Sequence, residues 1–319
     1  MFVVGAPRSG TTLFRRLLSA HPELEITHEL RVLDLAAGVG WSALNGGQWP
    51  GPDAVSSPAA LSAGWPLVNR LYRALGRRTG ASVVGDKYPP DATRLPRLLR
   101  LVQQARVIHV IRDGRDVVSS SLRAFVEKAA WRRSTCPPTA ADLAHSWVAH
   151  VATACRDGRP LGPQRYLEVR YESLTAHPAA TCDGALAFLG LAPHAAVSAA
   201  AAEVHPGRRW ADTLHTHDLS DACAVPGFSP LLADLGYDEP HTPGSSAPKC
   251  TLYRHLRLPE PSPDVVVEGL KTPGASLFSA MHARDHTEPE VRTALRDWMV
   301  DRGLPAHIAA ALEDAACRG

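Results

Sequence analysis

Between Gly5 and Gly10 lie Ala6-Pro7-Arg8-Ser9, and two threonines, Thr11 and Thr12, follow at once. A short loop of this kind leaves backbone N–H groups at a helix start without intrahelical partners. The helix dipole adds partial positive charge there, so the stretch suits a phosphate. The spacing is nearly the nucleotide-binding pattern G-x-x-x-x-G-K-[ST], except that Thr11 stands where the lysine belongs and the cation is Arg8, inside the loop. A kinase or ATPase needs that lysine on its terminal phosphates; an arginine within the loop would lie over a different part of a ligand. An ordinary strand-to-helix turn is the plain alternative.

Two further stretches carry charge where strands are expected to end. In Ile111-Arg112-Asp113-Gly114-Arg115-Asp116, Ser120 follows Arg112 by eight residues, about two helical turns. An arginine and a serine hydroxyl at that separation can hold a second phosphate through charge-assisted bonds; a surface Arg/Asp patch is the alternative. In Gly85-Asp86-Lys87-Tyr88-Pro89 a lysine closes an apolar run, to be weighed against a merely solvated lysine. No clustered carboxylates or H-x-x-x-H spacing suggest a metal, and His145 and His150 do not share a helix face. His215-Thr216-His217-Asp218 is the one weak exception and is read as a turn.

These residues need elements to hold them. Phe2-Val3-Val4-Gly5 reads as a buried strand, and Leu13, Leu17 and Leu18 recur at helical spacing after the loop. His21-Pro22 ends that helix, residues 24–27 are a short extended piece, and 29–37 look helical. Residues 38–66, rich in glycine and proline, read as a long irregular segment whose Trp41 and Trp49 either line an acceptor pocket or pin the loop to the body. Helices are expected at 66–77, 91–103, 113–125 and 139–157, the last capped by Thr139, and strands at 81–87, 106–111 and 165–170. His109, within the apolar third strand, reads as a satisfied core histidine. Strands alternating with helices imply an α/β fold: a P-loop-type parallel sheet with helices on both faces and its ligand at the strand C-terminal ends.

Residues 178–204 are alanine-rich helices. The expected organisation is one domain over 1–238, a linker at 239–248 and a C-terminal extension over 249–319 with a strand at 265–267 and helices at 288–302 and 305–317. A chain of 319 residues with 45% hydrophobic and 21% charged content is ordinary for a soluble globular protein. Its net charge of +2 is too small to argue for nucleic acid or a membrane surface, which points to a small anionic partner. The six cysteines are scattered without a C-x-x-C pair, as expected of reduced thiols. With a strand beginning at Phe2 and no apolar run near the ~20 residues of a membrane span, a cytoplasmic protein is expected. The excess of arginine over lysine fits a GC-rich bacterial genome.

Taken together, Ala6-Pro7-Arg8-Ser9-Gly10-Thr11-Thr12 and Ile111-Arg112-Asp113-Gly114-Arg115-Asp116 with Ser120 resemble the sulfotransferases that use 3′-phosphoadenosine 5′-phosphosulfate (PAPS). The first stretch is similar to their 5′-phosphosulfate loop and the second to their 3′-phosphate motif, in matching order. Through Pro7–Leu13, Ala20-His21-Pro22 and Glu29-x-Arg31, the likeness is greatest to the tyrosylprotein sulfotransferases and their bacterial relatives. It covers about residues 1–238, including Tyr166–Leu174 and Leu235-Gly236-Tyr237, and fades afterwards.

The resemblance implies PAPS as co-substrate, with no metal, held by Arg8, Ser9, Gly10, Thr11, Thr12, Arg112 and Ser120. It implies transfer to a hydroxyl acceptor with Arg8 and Lys87 stabilising charge and Glu29 as base. This chain has His28-Glu29 where those relatives have paired glutamates, so His28 competes for that role, and a solvated helix-start glutamate is the alternative for Glu29. A small-molecule phenol or alcohol, such as a secondary metabolite, is the first choice of acceptor and a peptide tyrosine the second. A P-loop kinase-like enzyme and a non-catalytic nucleotide binder are the competing functions. Two roles are open to residues 241–319: capping the acceptor site or forming a homo-oligomer contact.

Overall fold

Phe2–Gly5 is buried along its whole length and forms β1, which a strand covered on both faces requires. Its side chains alternate: Val3 packs into one cluster with Phe14, Leu17 and Ile108, whereas Phe2 and Val4 join Leu33, Leu61 and Leu95 in another. The computed structural model describes residues 1–46, 56–127, 138–205 and 209–237. Within them β1 is the centre of a five-stranded sheet with β2 (Leu24–His28), β3 (Val83–Lys87), β4 (Val107–Ile111) and β5 (Tyr166–Arg170), in the order β2-β3-β1-β4-β5. Every pairing is parallel, so each strand reaches the next through a crossover. The chain leaves β1 towards β2 on one side and leaves β4 towards β5 on the other. The C-terminal ends of β1 and β4 thus flank the point where strand order reverses, the ordinary ligand crevice of such sheets.

The expected α/β architecture is present. Helix α1 (Thr11–Leu18) lies on the face that it shares with the later alanine-rich helices. The other face is covered by α2 (Val32–Leu44), α3 (Pro58–Thr79) and α4 (Leu95–Leu101). Beyond β4, α5 (Gly114–Glu127) and α6 (Ala140–Gly158) enclose a third cluster around Trp147, which meets Phe228 edge to face at 5.2 Å. Thr139 caps α6 as expected, in a reciprocal capping box with Asp142.

Several boundaries differ from expectation. The segment read as irregular over 38–66 contains most of α2 and the first turns of α3, which starts at Pro58 behind the cap Ser57 and runs through Pro66 rather than starting there. Its glycines serve a helix crossing: a Cβ on Gly40 would stand 1.8 Å from the carbonyl oxygen of Ala60, and one on Gly64 1.8 Å from that of Ala36. Trp41 and Trp65 pack against the core; Trp49 lies outside the described residues. Residues 29–31 precede α2 as a turn, and 91–103 divides into a 3-10 turn, Pro89–Arg94, and α4. Helix α7 (Tyr171–Ala176) follows β5, and the alanine-rich stretch forms α8 (Pro178–Leu189) and α9 (Ala195–Ala202), separated at Gly190, whose φ of 79° caps α8. His215 is the N-cap of α10 (Thr216–Cys223), so the segment read as a turn is a helix start. Helix α11 (Phe228–Asp234) leads to Tyr237. The linker and extension expected from residue 239 onward lie outside the described residues, as do Cys136, Cys250 and Cys317. Among the described residues Cys155, Cys182 and Cys223 form no disulfide with one another.

His109 is fully buried in β4. Its Nδ1 meets the Tyr166 hydroxyl at 2.6 Å, while its Nε2 has no hydrogen-bond partner among the described residues. It belongs to one trio, with Cys155 and Glu168, whose ligand atoms lie within 4.8 Å of one another. Glu168 is already held by Arg159 at 2.7 and 3.1 Å. Burial lowers the imidazole pKa from 6.5 to about 4. The unfolded chain therefore binds the extra proton between these values, and stability should fall as pH drops from about 6.5 to about 4. Denaturant melts of His109→Gln against the parent should show that part of the acid slope removed.

Candidate active site

The loop after β1 is set by backbone conformation. Arg8 has φ 71° and Gly10 φ 97°, both left-handed. A non-glycine residue held there costs on the order of 1–3 kcal/mol. A Cβ on Gly10 would lie 2.3 Å from the Tyr171 ring, so this position needs glycine for space as well as for its angle. Gly10 is also the N-cap of α1, and among the described residues no side chain caps that end. Ser9 is fully buried and its Oγ has no hydrogen-bond partner among the described residues. A buried hydroxyl beside an uncapped helix start can donate to an oxyanion.

The end of β4 comes against this loop. The Arg112 guanidinium donates to the Arg8 carbonyl at 3.3 Å, lies 4.2 Å from the Tyr171 ring centroid and is 3.7 Å from Asp116. The Arg112 carbonyl accepts the Trp147 indole N–H at 3.0 Å, which fixes the strand end. Burial raises the Asp116 pKa, with Arg112 opposing the shift. Ser120, on α5, accepts from Arg8 Nε at 3.3 Å. Arg8 and Ser120, 112 residues apart in the chain, are thus brought together by the pairing of β1 with β4.

Lys87 closes β3 with its side chain wholly buried, and its ammonium has three partners: Thr12 Oγ1 at 3.2 Å, His28 Nε2 at 3.3 Å and Glu29 Oε1 at 2.5 Å. Parallel pairing puts His28 opposite Lys87, and Glu29 N donates to the Lys87 carbonyl at 2.9 Å. Glu29 itself has φ 58° and Arg31 φ 57°. The Glu29 side chain is 43% exposed, so one end of this ion pair is buried and the other opens to solvent.

Arg8, Ser9, Gly10, Thr12, His28, Glu29, Lys87, Arg112 and Ser120 therefore gather at the C-terminal edge of the sheet. Thr11 is buried at the start of α1, directly before Thr12. Other residues at the site lie in the two stretches, Tyr166–Leu174 and Leu235-Gly236-Tyr237, that the family resemblance covers but to which the sequence assigns no role. Tyr171, directly after the edge strand β5, packs on both Gly10 and Arg112. Glu172 accepts from Asp113 N at 3.0 Å and from the Tyr237 hydroxyl at 2.9 Å, and burial raises its pKa. The Tyr237 carbonyl in turn accepts from Arg115. Leu235-Gly236-Tyr237 thereby ties the end of the described chain to the strand end bearing Arg112.

The model for the sulfotransferase family matches residues 1–195, more than half of the chain. The chain belongs to the sulfotransferase family. Among curated relatives, this chain is 25% identical to protein-tyrosine sulfotransferase 2 of Gallus gallus over 221 residues, 68% of this chain and 53% of that one. It is 28% identical to protein-tyrosine sulfotransferase 1 of Danio rerio over 196 residues, 60% and 53% of the two chains. It spans about half the length of these curated relatives. Among solved structures, sulfotransferase STF1 from Mycobacterium tuberculosis H37Rv gives a TM-score of 0.48 at 19% identity, covering 70% of this chain and 75% of that one. The sulfotransferase domain from the curacin biosynthetic pathway gives 0.47 at 17%, covering 75% and 98%. Among the described residues no helix is long and apolar enough to cross a membrane.

Proposed function

We propose that the protein transfers a sulfuryl group from PAPS to a hydroxyl of a small-molecule phenol or alcohol and releases adenosine 3′,5′-bisphosphate, in the cytoplasm of a bacterium. The observation that carries this reading is the junction of two anion-binding elements. Arg8 lies next in sequence to the buried Ser9 hydroxyl, which has no hydrogen-bond partner among the described residues, and to the start of α1, and it meets both Ser120 and Arg112. A ligand with phosphates on both sides of a ribose suits that junction. Ser9, Gly10, Thr11 and Thr12 would hold the 5′ side, and Arg112 and Ser120 the 3′-phosphate, with Arg8 between them.

In this reaction the acceptor oxygen attacks sulfur in line, and the bond from sulfur to the bridging oxygen of the 5′-phosphate breaks. The acceptor proton passes to the Glu29 carboxylate, with His28 as the competing base. Charge grows on the leaving oxygen, where the Lys87 ammonium and the Arg8 guanidinium offset it. As in phosphoryl transfer, positioning and charge stabilisation supply most of the catalysis, and no residue of this set calls for a metal. The names of the curated relatives favour a second acceptor class, a peptide tyrosine.

Calorimetric titration tests the donor. Adenosine 3′,5′-bisphosphate should bind without metal and more tightly than 5′-AMP or ATP-magnesium. Arg112→Ala should weaken it by roughly 10- to 10²-fold, the loss expected for a charged hydrogen-bond partner worth ~1.5–3 kcal/mol. Preference for ATP-magnesium, or indifference to the 3′-phosphate, would replace this reading with a kinase-like one.

A further inference from the structure

Glu29 and Arg31 both occupy the left-handed region, at φ 58° and 57°, with one residue between them. Such a turn persists only when its surroundings over-determine it. Arg31 is the N-cap of α2 and makes no side-chain cap bond, so the turn does not hold itself. Its three consecutive N–H groups instead find acceptors on β3. Glu29 N donates to the Lys87 carbonyl at 2.9 Å, Leu30 N to Asp86 Oδ1 at 3.1 Å and Arg31 N to Asp86 Oδ2 at 3.2 Å. Thr27 Oγ1 donates to Asp86 Oδ1 at 2.7 Å and orients the carboxylate from the other side of the turn. Asp86 is 1% exposed.

Resting on the reading of Glu29 as base, we infer that Asp86 is a positioning residue that sets the left-handed turn carrying that base. Asp86 and Lys87 act on different parts of it. The Asp86 carboxylate and the Lys87 carbonyl fix the backbone of residues 29–31, and the Lys87 ammonium fixes the Glu29 carboxylate. Only a carboxylate fits the position. Both of its oxygens accept, whereas an asparagine would direct an amide nitrogen, which has no acceptor capacity, at one of two N–H donors. Its charge also faces the start of the 13-residue helix α2, where an anion is favourable.

Asp86→Asn should lower kcat by roughly 10- to 10²-fold, the scale of a small misplacement of a catalytic group, while the Kd for adenosine 3′,5′-bisphosphate stays within about twofold. In a Glu29→Gln background the same substitution should change kcat by less than about twofold, because its effect passes through Glu29. Arg31→Gly, which removes the left-handed penalty at that residue, should restore part of the kcat lost in Asp86→Asn. Thr27→Val is the milder variant should Asp86→Asn fold poorly; it should lower kcat in the same direction and be masked in the same way. A readout that needs no turnover is tryptic cleavage after the exposed Arg31, which should quicken in Asp86→Asn.

Unchanged kcat together with unchanged cleavage would overturn the inference. So would a kcat loss of equal size in the Glu29→Gln background. If the parent protein transfers nothing from PAPS and cleavage at Arg31 still quickens, the clamp stands and the sulfotransferase mechanism fails.

Discussion

Lys87→Ala should lower kcat by roughly 10²- to 10³-fold, the usual result of deleting one preorganised donor from a site of charge development. Its buried ammonium is held between Thr12, His28 and Glu29 by β3, so it needs no reorganisation when charge appears on a leaving oxygen. Because that charge is present only in the transition state, kcat should fall much further than the affinity for adenosine 3′,5′-bisphosphate. Lys87→Arg should not restore the rate, since a planar fork cannot reproduce three contacts made from one nitrogen. Release of adenosine 3′,5′-bisphosphate with a panel of phenolic acceptors, at saturating PAPS, measures this. An unchanged kcat with a raised KM for PAPS would reduce Lys87 to a binding residue.

Glu29→Gln should cost about 10²- to 10⁴-fold in kcat, the range of general-base catalysis. The substitution is nearly isosteric, and its amide oxygen can still accept from Lys87. The Glu29 side chain is 43% exposed but the Lys87 ammonium that it faces is wholly buried, so the neutral amide leaves that ammonium less compensated and the melting temperature should fall modestly. His28→Ala, which loses the 3.3 Å contact to Lys87, should retain most of the activity. The reverse pattern, with Glu29→Gln active and His28→Ala inactive, would pass the base to His28 and leave the donor site as argued.

The local motifs were the most legible part of the chain. The loop over Gly5–Gly10 and the charged ends of β3 and β4 announce themselves because strand, turn and helix start are contiguous, and the parallel topology then brings their ends to one edge. Chemistry that comes from afar was not legible. Asp86 acts on backbone N–H groups of residues 30 and 31, which have no sequence signature, and Tyr171 reaches Gly10 only because β5 borders β4. The reading of 38–66 as irregular failed for a different reason. Glycine marks loops, and it also marks places where two helix backbones touch; local sequence does not separate the two uses. The acceptor is the least legible feature, because recognition of a hydroxyl compound requires no fixed spacing.

The contact of Gly40 with Ala60 and of Gly64 with Ala36 bears on how freely this chain can vary through descent. At either position a single added methyl meets a carbonyl oxygen of the facing helix, so drift there is closed on both sides of the crossing at once. Helix α2 begins at Val32, immediately after Arg31, so the crossing and the turn that carries Glu29 belong to one continuous segment. A lineage losing either glycine would have to part the two helices or shift one along the other, so these two positions are held to glycine by backbone packing alone.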